Sequence, residues 1–289
     1  MPDESIISQT LETPIPEFLY HYTSSYGLEG IIKSNSIWAT KVHYMNDYSE
    51  LKLAFDYFRN EINQQQNGIE KNRTDEELDQ MVKSLSSIET FNVGIASFTA
   101  IGDQLSQWRG YCKIGNGYSL GFSGQELYST IHQTENCYLV QCAYEERQHK
   151  LIAKELVNSA PVINIKKHPN FGKPPLGEMT FAERALFLAP IIKSEGFSEE
   201  REWRLINPGR KFTDANFRHG AYSLIPCWNI DLDLKNTFRK IIIGPTREPD
   251  LSRQSVQGFI LQNISKFEGK LSSSLLENIQ QSRIPFREI

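Results

Sequence analysis

The chain contains no run of about 18 apolar residues, the length a helix needs to span a bilayer. Its first residues, Met1-Pro2-Asp3-Glu4-Ser5, lack the basic then apolar organisation of a secretory signal. A cytoplasmic location is the resulting expectation. Cysteine is scarce: Cys112, Cys137, Cys142 and Cys227 form no CxxC pair and have no histidine at zinc-ligand spacing. That disfavours a structural zinc site and favours buried, reduced thiols. There is no internal repeat, coiled-coil heptad or low-complexity tail. Charge imbalance is also small: a formal net charge of -4 exerts no global pull toward nucleic acid, although it leaves room for a local basic patch.

What is present describes an ordinary globular chain, with 39% hydrophobic and 23% charged residues in 289. That length can bury a substantial core. The economical reading is a single α+β domain over 1–289, with its core in 17–289 and helical insertions at about 47–90 and 145–195.

Phe18 to Thr23 and Ile37 to Thr40 read as strands around a helix from Ser25 to Lys33 that carries Leu28, Ile31 and Ile32 on one side. Asn46-Asp47 opens an amphipathic helix in which Leu51, Phe55, Phe58 and Ile62 recur at helical spacing, with Asp47 and Glu50 as a capping box. Asn63 to Arg73 reads as a surface loop. A second box, Thr74 with Glu77, precedes Leu78, Met81, Val82, Leu85 and Ile88. Phe91 to Thr99 alternates as a strand. Tyr118 to Phe122 and Cys137 to Tyr144 add two more, the first after the turn Gly115-Asn116-Gly117, which predicts a hairpin with material upstream. Glu145 to Val157 and Thr180 to Lys193 read as helices, the second ended near Pro190, with a proline-bearing connection from Lys166 to Leu176 between them. Arg201 to Ile206 and Lys240 to Ile243 read as strands, Asp250 to Phe267 as a helix, and Arg283 to Arg287 as a terminal edge strand.

Chemistry concentrates in a few clusters. His21 can donate and accept at its two ring nitrogens, Tyr22 offers an aromatic face, and Thr23 adds a hydroxyl at i+2. A strand-end histidine bonded to backbone fits the same pattern. The hydroxyls of Ser97 and Thr99 end a strand and can close a cleft or cap the loop that follows. Arg109, within Gln104 to Tyr111, can grip a pyrophosphate with its guanidinium fork, or pair with a carboxylate while Trp108 enters the core. Asp47 and Glu50 are explained by capping. Glu200 and Glu202 stand at i and i+2, so a strand projects them together; with Arg201 and Arg204 they can equally form a charged sheet edge.

The ordered set His21-Tyr22-Thr23, Ser97-Phe98-Thr99 and Glu200-x-Glu202 resembles the mono-ADP-ribosyltransferase superfamily, whose members use a first-strand His or Arg, a central Ser-x-Thr-like strand and a late glutamate. A longer resemblance is to a large bacterial domain-of-unknown-function family. It rests on Leu19 to Thr23, Trp38, Asn46-Asp47, Trp108 to Tyr111, Gly117 to Phe122 and Glu202-Trp203-Arg204, from about Phe18 to the C-terminus. The chain departs from the transferase pattern at Thr23, where some relatives carry an acidic residue, and at Phe98, where others have a smaller one.

The transferase resemblance implies a split mixed or antiparallel sheet core, NAD as substrate and no metal. His21 would hold the adenine-side ribose and orient the nicotinamide amide, Tyr22 or Tyr44 would stack on the nicotinamide ring, and Ser97 would brace the glutamate. Glu202 would bond the nicotinamide ribose and stabilise the oxocarbenium ion, and Glu200 would position or deprotonate the acceptor. The implied activity is an ADP-ribosyltransferase or NAD glycohydrolase acting on a protein or nucleic-acid acceptor, away from membranes, with a cognate inhibitor left open and a toxin or antiphage role by analogy. Two other classes are carried alongside: a metal-dependent nuclease on Asp231-Leu232-Asp233-Leu234-Lys235, and a non-catalytic nucleotide-binding module.

Overall fold

Apolar side chains at every second residue build the centre of the molecule. A computed structural model describes residues 5–45, 48–68, 72–86, 92–112, 115–135, 137–159, 181–208, 211–220, 222–267 and 272–285. Ten strands lie there: β1 (Phe18–Ser24), β2 (Ser36–Lys41), β3 (Gly94–Thr99), β4 (Gly117–Ser123), β5 (Tyr138–Gln141), β6 (Glu202–Asn207), β7 (Asn216–His219), β8 (Leu224–Asp231), β9 (Phe238–Ile243) and β10 (Ile279–Gln281). The helices are α1 (Ile6–Leu11), α2 (Ser25–Ser34), α3 (Tyr48–Asn67), α4 (Asp75–Ser86), α5 (Leu105–Tyr111), α6 (Gly124–Glu135), α7 (Glu146–Asn158), α8 (Phe181–Leu188), α9 (Leu234–Thr237), α10 (Pro249–Gln262) and α11 (Ser272–Glu277).

The strands make one mixed, open and largely antiparallel sheet, in the order β10-β9-β4-β1-β3-β2-β8-β7, with β6 added to β3 and β5 to β6. Helices cover both faces. On one, Ile7, Phe58, Ile62, Leu78, Leu156 and Phe187 bury Ile95, Val140 and Ile206. On the other, Leu28, Ile32, Leu127, Ile131 and Ile260 bury Phe98, Phe122, Leu205 and Ile241. Residues two apart on a strand therefore belong to different cores from their neighbours.

One departure from regular pairing shapes everything that follows. Along one edge β3 pairs with β6 over its whole length, from Gly94↔Asn207 to Thr99↔Glu202. Its other edge is shared: β2 meets it at Thr40↔Ile95 and Lys41↔Gly94, whereas β1 meets it at Tyr20↔Thr99. Ala96, Ser97 and Phe98 have no strand partner on that side, so the sheet forks there into a β1 wing and a β2 wing.

Several expectations need correction. The tract read as a loop from Asn63 continues α3 to Asn67, because Gln65 turns inward and donates to Glu61 at 3.1 Å and Asn158 at 2.5 Å. Among the described residues no hairpin is seen upstream of β4; the preceding element is α5, and β4 pairs with β1 and β9. Among the described residues the last strand is β10, earlier than Arg283, and it adds in parallel to β9; Phe286 and Arg287 of the expected strand lie outside the described residues. The charged sheet edge is also overturned. Strand β6 is central, with β3 and β5 on its two sides, and all six of its residues are buried. The Thr74–Glu77 box is present, with Thr74 N–H donating to Glu77 at 2.9 Å and Glu77 N–H to Thr74 Oγ1 at 3.3 Å. Asn46, Asp47, Ile88, Phe91, Lys166 to Leu176 and Thr180 lie outside the described residues.

Candidate functional site

Both cavities of interest meet at the fork. His21 donates from Nδ1 to the carbonyl of Ser97 at 2.9 Å, satisfying a backbone acceptor that a neighbouring strand would otherwise take. That bond fixes the proton on Nδ1 and leaves Nε2 as an acceptor. Burial lowers the imidazole pKa from 6.5, opposed by the Ser97 carbonyl, so the ring is held neutral.

On one side of His21 lies a groove of about 600 Å³, walled by Thr23, Tyr26 and Lys33 from the β1 wing and by Trp38, Phe217 and Asn229 from the β2 wing. Thr23 leans on α2 at Gly27, where an added Cβ would fall 1.9 Å from Thr23 Oγ1; glycine is required for that approach. On the other side is a small cavity of about 50 Å³, lined by His21, Ser97, Thr99, Tyr111, Glu200 and Glu202. His21, Glu200 and Glu202 thus line one cavity.

The glutamates arrive by different routes. Glu202 opens β6, while Glu200 ends a short 3-10 turn, Glu195–Glu200, and Arg201 between them adopts a left-handed conformation at φ 44°. Even so their carboxylates converge: Lys193 Nζ lies 2.6 Å from an oxygen of each. Lys193 is placed by backbone, its N–H donating to Ala143 at 3.0 Å beside the Ala143↔Ile192 bridge. Arg204, two residues after Glu202 on the same face of β6, donates through Nε to Glu202 Oε1 at 2.9 Å and through Nη2 to Oε2 at 3.0 Å. It also bonds the Pro190 carbonyl at 2.6 Å, an acceptor that the end of α8 leaves free, and Glu50 from α3. Glu50 lies 3.4 Å from Lys193 as well.

Two cations face three carboxylates, leaving formally one negative charge. Such a cluster favours a ligand group that carries or develops positive charge. Burial raises a carboxyl pKa, but Arg204 and Lys193 outweigh it and bring Glu202 from 4.5 down to about 2. Burial likewise lowers an ammonium pKa, and here Glu202 and Glu50 reverse the effect and raise Lys193. Glu200 is the looser acid: Lys193 and, at 3.5 Å, the Tyr111 hydroxyl reach one of its oxygens, and its side chain is 14% exposed against 5% for Glu202.

The remaining expected residues divide. Thr99 donates to the Glu200 carbonyl at 2.6 Å and accepts from Ile101 N–H at 3.1 Å, so it holds the turn before Glu202. Ser97 lines the small cavity, but the Glu202 carboxylate is braced by Arg204 and Lys193. Tyr22 touches the small cavity, with its hydroxyl engaged by the Ile101 carbonyl and Gln104 N–H, each at 3.0 Å, and its ring edge-on to Trp108 at 4.6 Å. Tyr44 lines neither cavity; it follows the end of β2 that pairs with Gly94, the far end of β3 from Thr99. Arg109 is exposed beside Gln104, Ser106 and Glu199, away from the groove.

Asp233 accepts from Asn236 N–H as the cap of α9, and Asp231 ends β8 opposite Ser36. Among the described residues no group of three or more His, Cys, Asp or Glu is arranged to hold a metal ion, and no helix is long and apolar enough to cross a membrane. Sequence reasoning missed Lys193, Arg204 and Glu50. Arg204 had a signal: the i, i+2 argument that paired Glu200 with Glu202 applies equally to Glu202 and Arg204, flanked by Trp203 and Leu205.

Residues 107–205 match the family described as "Protein of unknown function (DUF2971)", a shorter stretch than the Phe18-to-C-terminus resemblance. It takes in Tyr111, Lys193, Glu200, Glu202 and Arg204 but not β1, β2 or β3. No curated protein and no solved structure matches the chain. A DUF2971 domain is therefore what the comparisons find here, and nothing in them links the chain to the ADP-ribosyltransferases.

Proposed function

We propose that the chain is an NAD-consuming enzyme, an ADP-ribosyltransferase or NAD glycohydrolase, working at the fork of the sheet. The observation that carries this reading is that His21 lines both the groove and the cavity holding Glu200 and Glu202. A dinucleotide fits that division: its bulk in the groove, its reacting ribose at the glutamates. The bond between ribose C1′ and the nicotinamide nitrogen breaks, and its electron pair leaves with neutral nicotinamide. The cluster's surplus negative charge stabilises the positive charge that develops on the ribose. Attack by the acceptor, or by water, closes the new bond at C1′, and the nucleophile's proton passes to Glu200. The small cavity takes the reacting carbon only if its wall, of which the 42% exposed Tyr111 forms part, gives way.

One observation favours a second reading, a nucleotide-binding module without turnover. Both oxygens of Glu202 are already occupied by Arg204 and Lys193. Incubation of the purified chain with labelled NAD and separate pools of protein, DNA and RNA decides between them. Nicotinamide release or label transfer supports the enzyme; NAD binding with neither supports the module, and no interaction with NAD overturns both.

A further inference from the structure

Of the four tryptophans, Trp108, Trp203 and Trp228 are buried and Trp38 is 40% exposed. It shares the groove with Tyr26 and Phe217, which are 71% and 51% exposed. Three aromatic side chains left in water around one groove forgo burial that the fold exploits elsewhere, the usual mark of a surface that receives something flat and apolar. Beside them is a matched polar pair. Trp38 and Asn229 are cross-strand partners in β2 and β8, so their side chains leave the same face of the sheet. Asn216 Nδ2 donates to Asn229 Oδ1 at 3.3 Å. With the amides oriented by that bond, the Asn229 amino group and the Asn216 carbonyl oxygen are left as one donor and one acceptor. Lys33, on the opposite wall, is paired with Glu29 at 2.5 Å in an exposed i, i+4 contact.

We infer that the β2 side of this groove binds a planar nitrogen heterocycle of the adenine type, stacked on Trp38 and read along its donor-and-acceptor edge by Asn216 and Asn229. The inference shares its groove with the enzymatic reading above but does not depend on any bond being broken.

Acrylamide quenching of tryptophan emission reports the groove directly, because the other three indoles are buried. Adenosine and AMP, titrated into the full chain, are expected to protect Trp38 from acrylamide saturably, and ribose alone is expected not to. By calorimetry, Trp38→Ala should weaken adenosine binding at least about tenfold, the scale of one lost stacking contact. Asn229→Ala, which keeps the reporter, should weaken it several-fold. Absence of protection by adenosine, unchanged affinity in both variants, or equal protection by ribose overturns the inference. Nicotinamide release from added NAD, measured on the same protein preparations, keeps the two ideas apart. Binding without release leaves the heterocycle site standing and removes the NAD-consuming reading; undiminished release in both variants does the reverse.

Discussion

Lys193 holds Glu202 at 2.6 Å in the interior, where neither side chain is more than 5% exposed. Each partner makes the other's burial tolerable, and the attraction matters chiefly because separation leaves an isolated charge. Lys193→Met is expected to destabilise the fold by about 3–5 kcal/mol, read from urea unfolding. Lys193→Met with Glu202→Gln should cost less than the two changes added, because the carboxylate stranded by the first is neutralised by the second.

The same pair sets an acid limit on stability. Glu202 ionises at about 2 in the fold against an ordinary 4.5, so the unfolded chain takes up the proton first as pH falls. Its contribution is complete above 4.5 and is lost on the way down to 2. On the order of 3 kcal/mol should disappear across that window, of which about 2 kcal/mol should be read as a falling urea midpoint between about pH 6 and pH 3. A midpoint flat over that range in the wild-type chain contradicts the ion-pair account.

His21 gives a separate, spectroscopic expectation. Its ring should titrate below 6.5 and carry its proton on Nδ1 at neutral pH, both visible in nitrogen-15 NMR. Because folding disfavours its charged form, acid weakens the fold through this residue too, from about 6.5 downward. His21→Ala leaves the Ser97 carbonyl without a partner, for a cost of about 1–3 kcal/mol in unfolding experiments.

Glu200 and Glu202 should separate under mutation. Glu200→Gln retains one oxygen for Lys193 and is expected to keep a thermal midpoint near wild type while lowering nicotinamide release by about 10²–10⁴-fold. Glu202→Gln should lower both, since Arg204 and Lys193 lose their shared anion. An active Glu200→Gln variant removes Glu200 from the chemistry.

Tyr22 tests the division between framework and site. Tyr22→Phe removes the hydroxyl that links Ile101 to Gln104 but keeps the ring against Trp108. Loss of about 1–2 kcal/mol with nicotinamide release unchanged assigns it to the framework. A large fall in release at unchanged stability assigns it to the site.

The parts of the fold written in local pattern were legible. Phe18 to Thr23, Ser25 to Lys33 and the Thr74–Glu77 box carry their periodicity or capping within a few residues, and each is found within a residue or two of its expected place. Helix α6 was missed although Leu127, Tyr128 and Ile131 repeat at helical spacing. Strand β8 was missed because Pro226 interrupts its pattern; proline is tolerated there opposite the edge strand β7. Glu50 was assigned to a cap by its spacing from Asp47, and nothing local announces that its carboxylate reaches Arg204, 154 residues away. Lys193 is similar: its position follows from the Ala143↔Ile192 bridge beside it, a pairing that no window of sequence contains.

The fork in the sheet has a mechanical consequence. Its two wings are fastened to β3 at opposite ends, so the spacing between Thr23 and Trp38 is not fixed by any ladder running straight across. Anything seated between them acts as a strut. Occupancy should therefore slow amide hydrogen exchange in Phe18–Ser24 and Ser36–Lys41 together, although no hydrogen-bonded ladder joins these two segments directly.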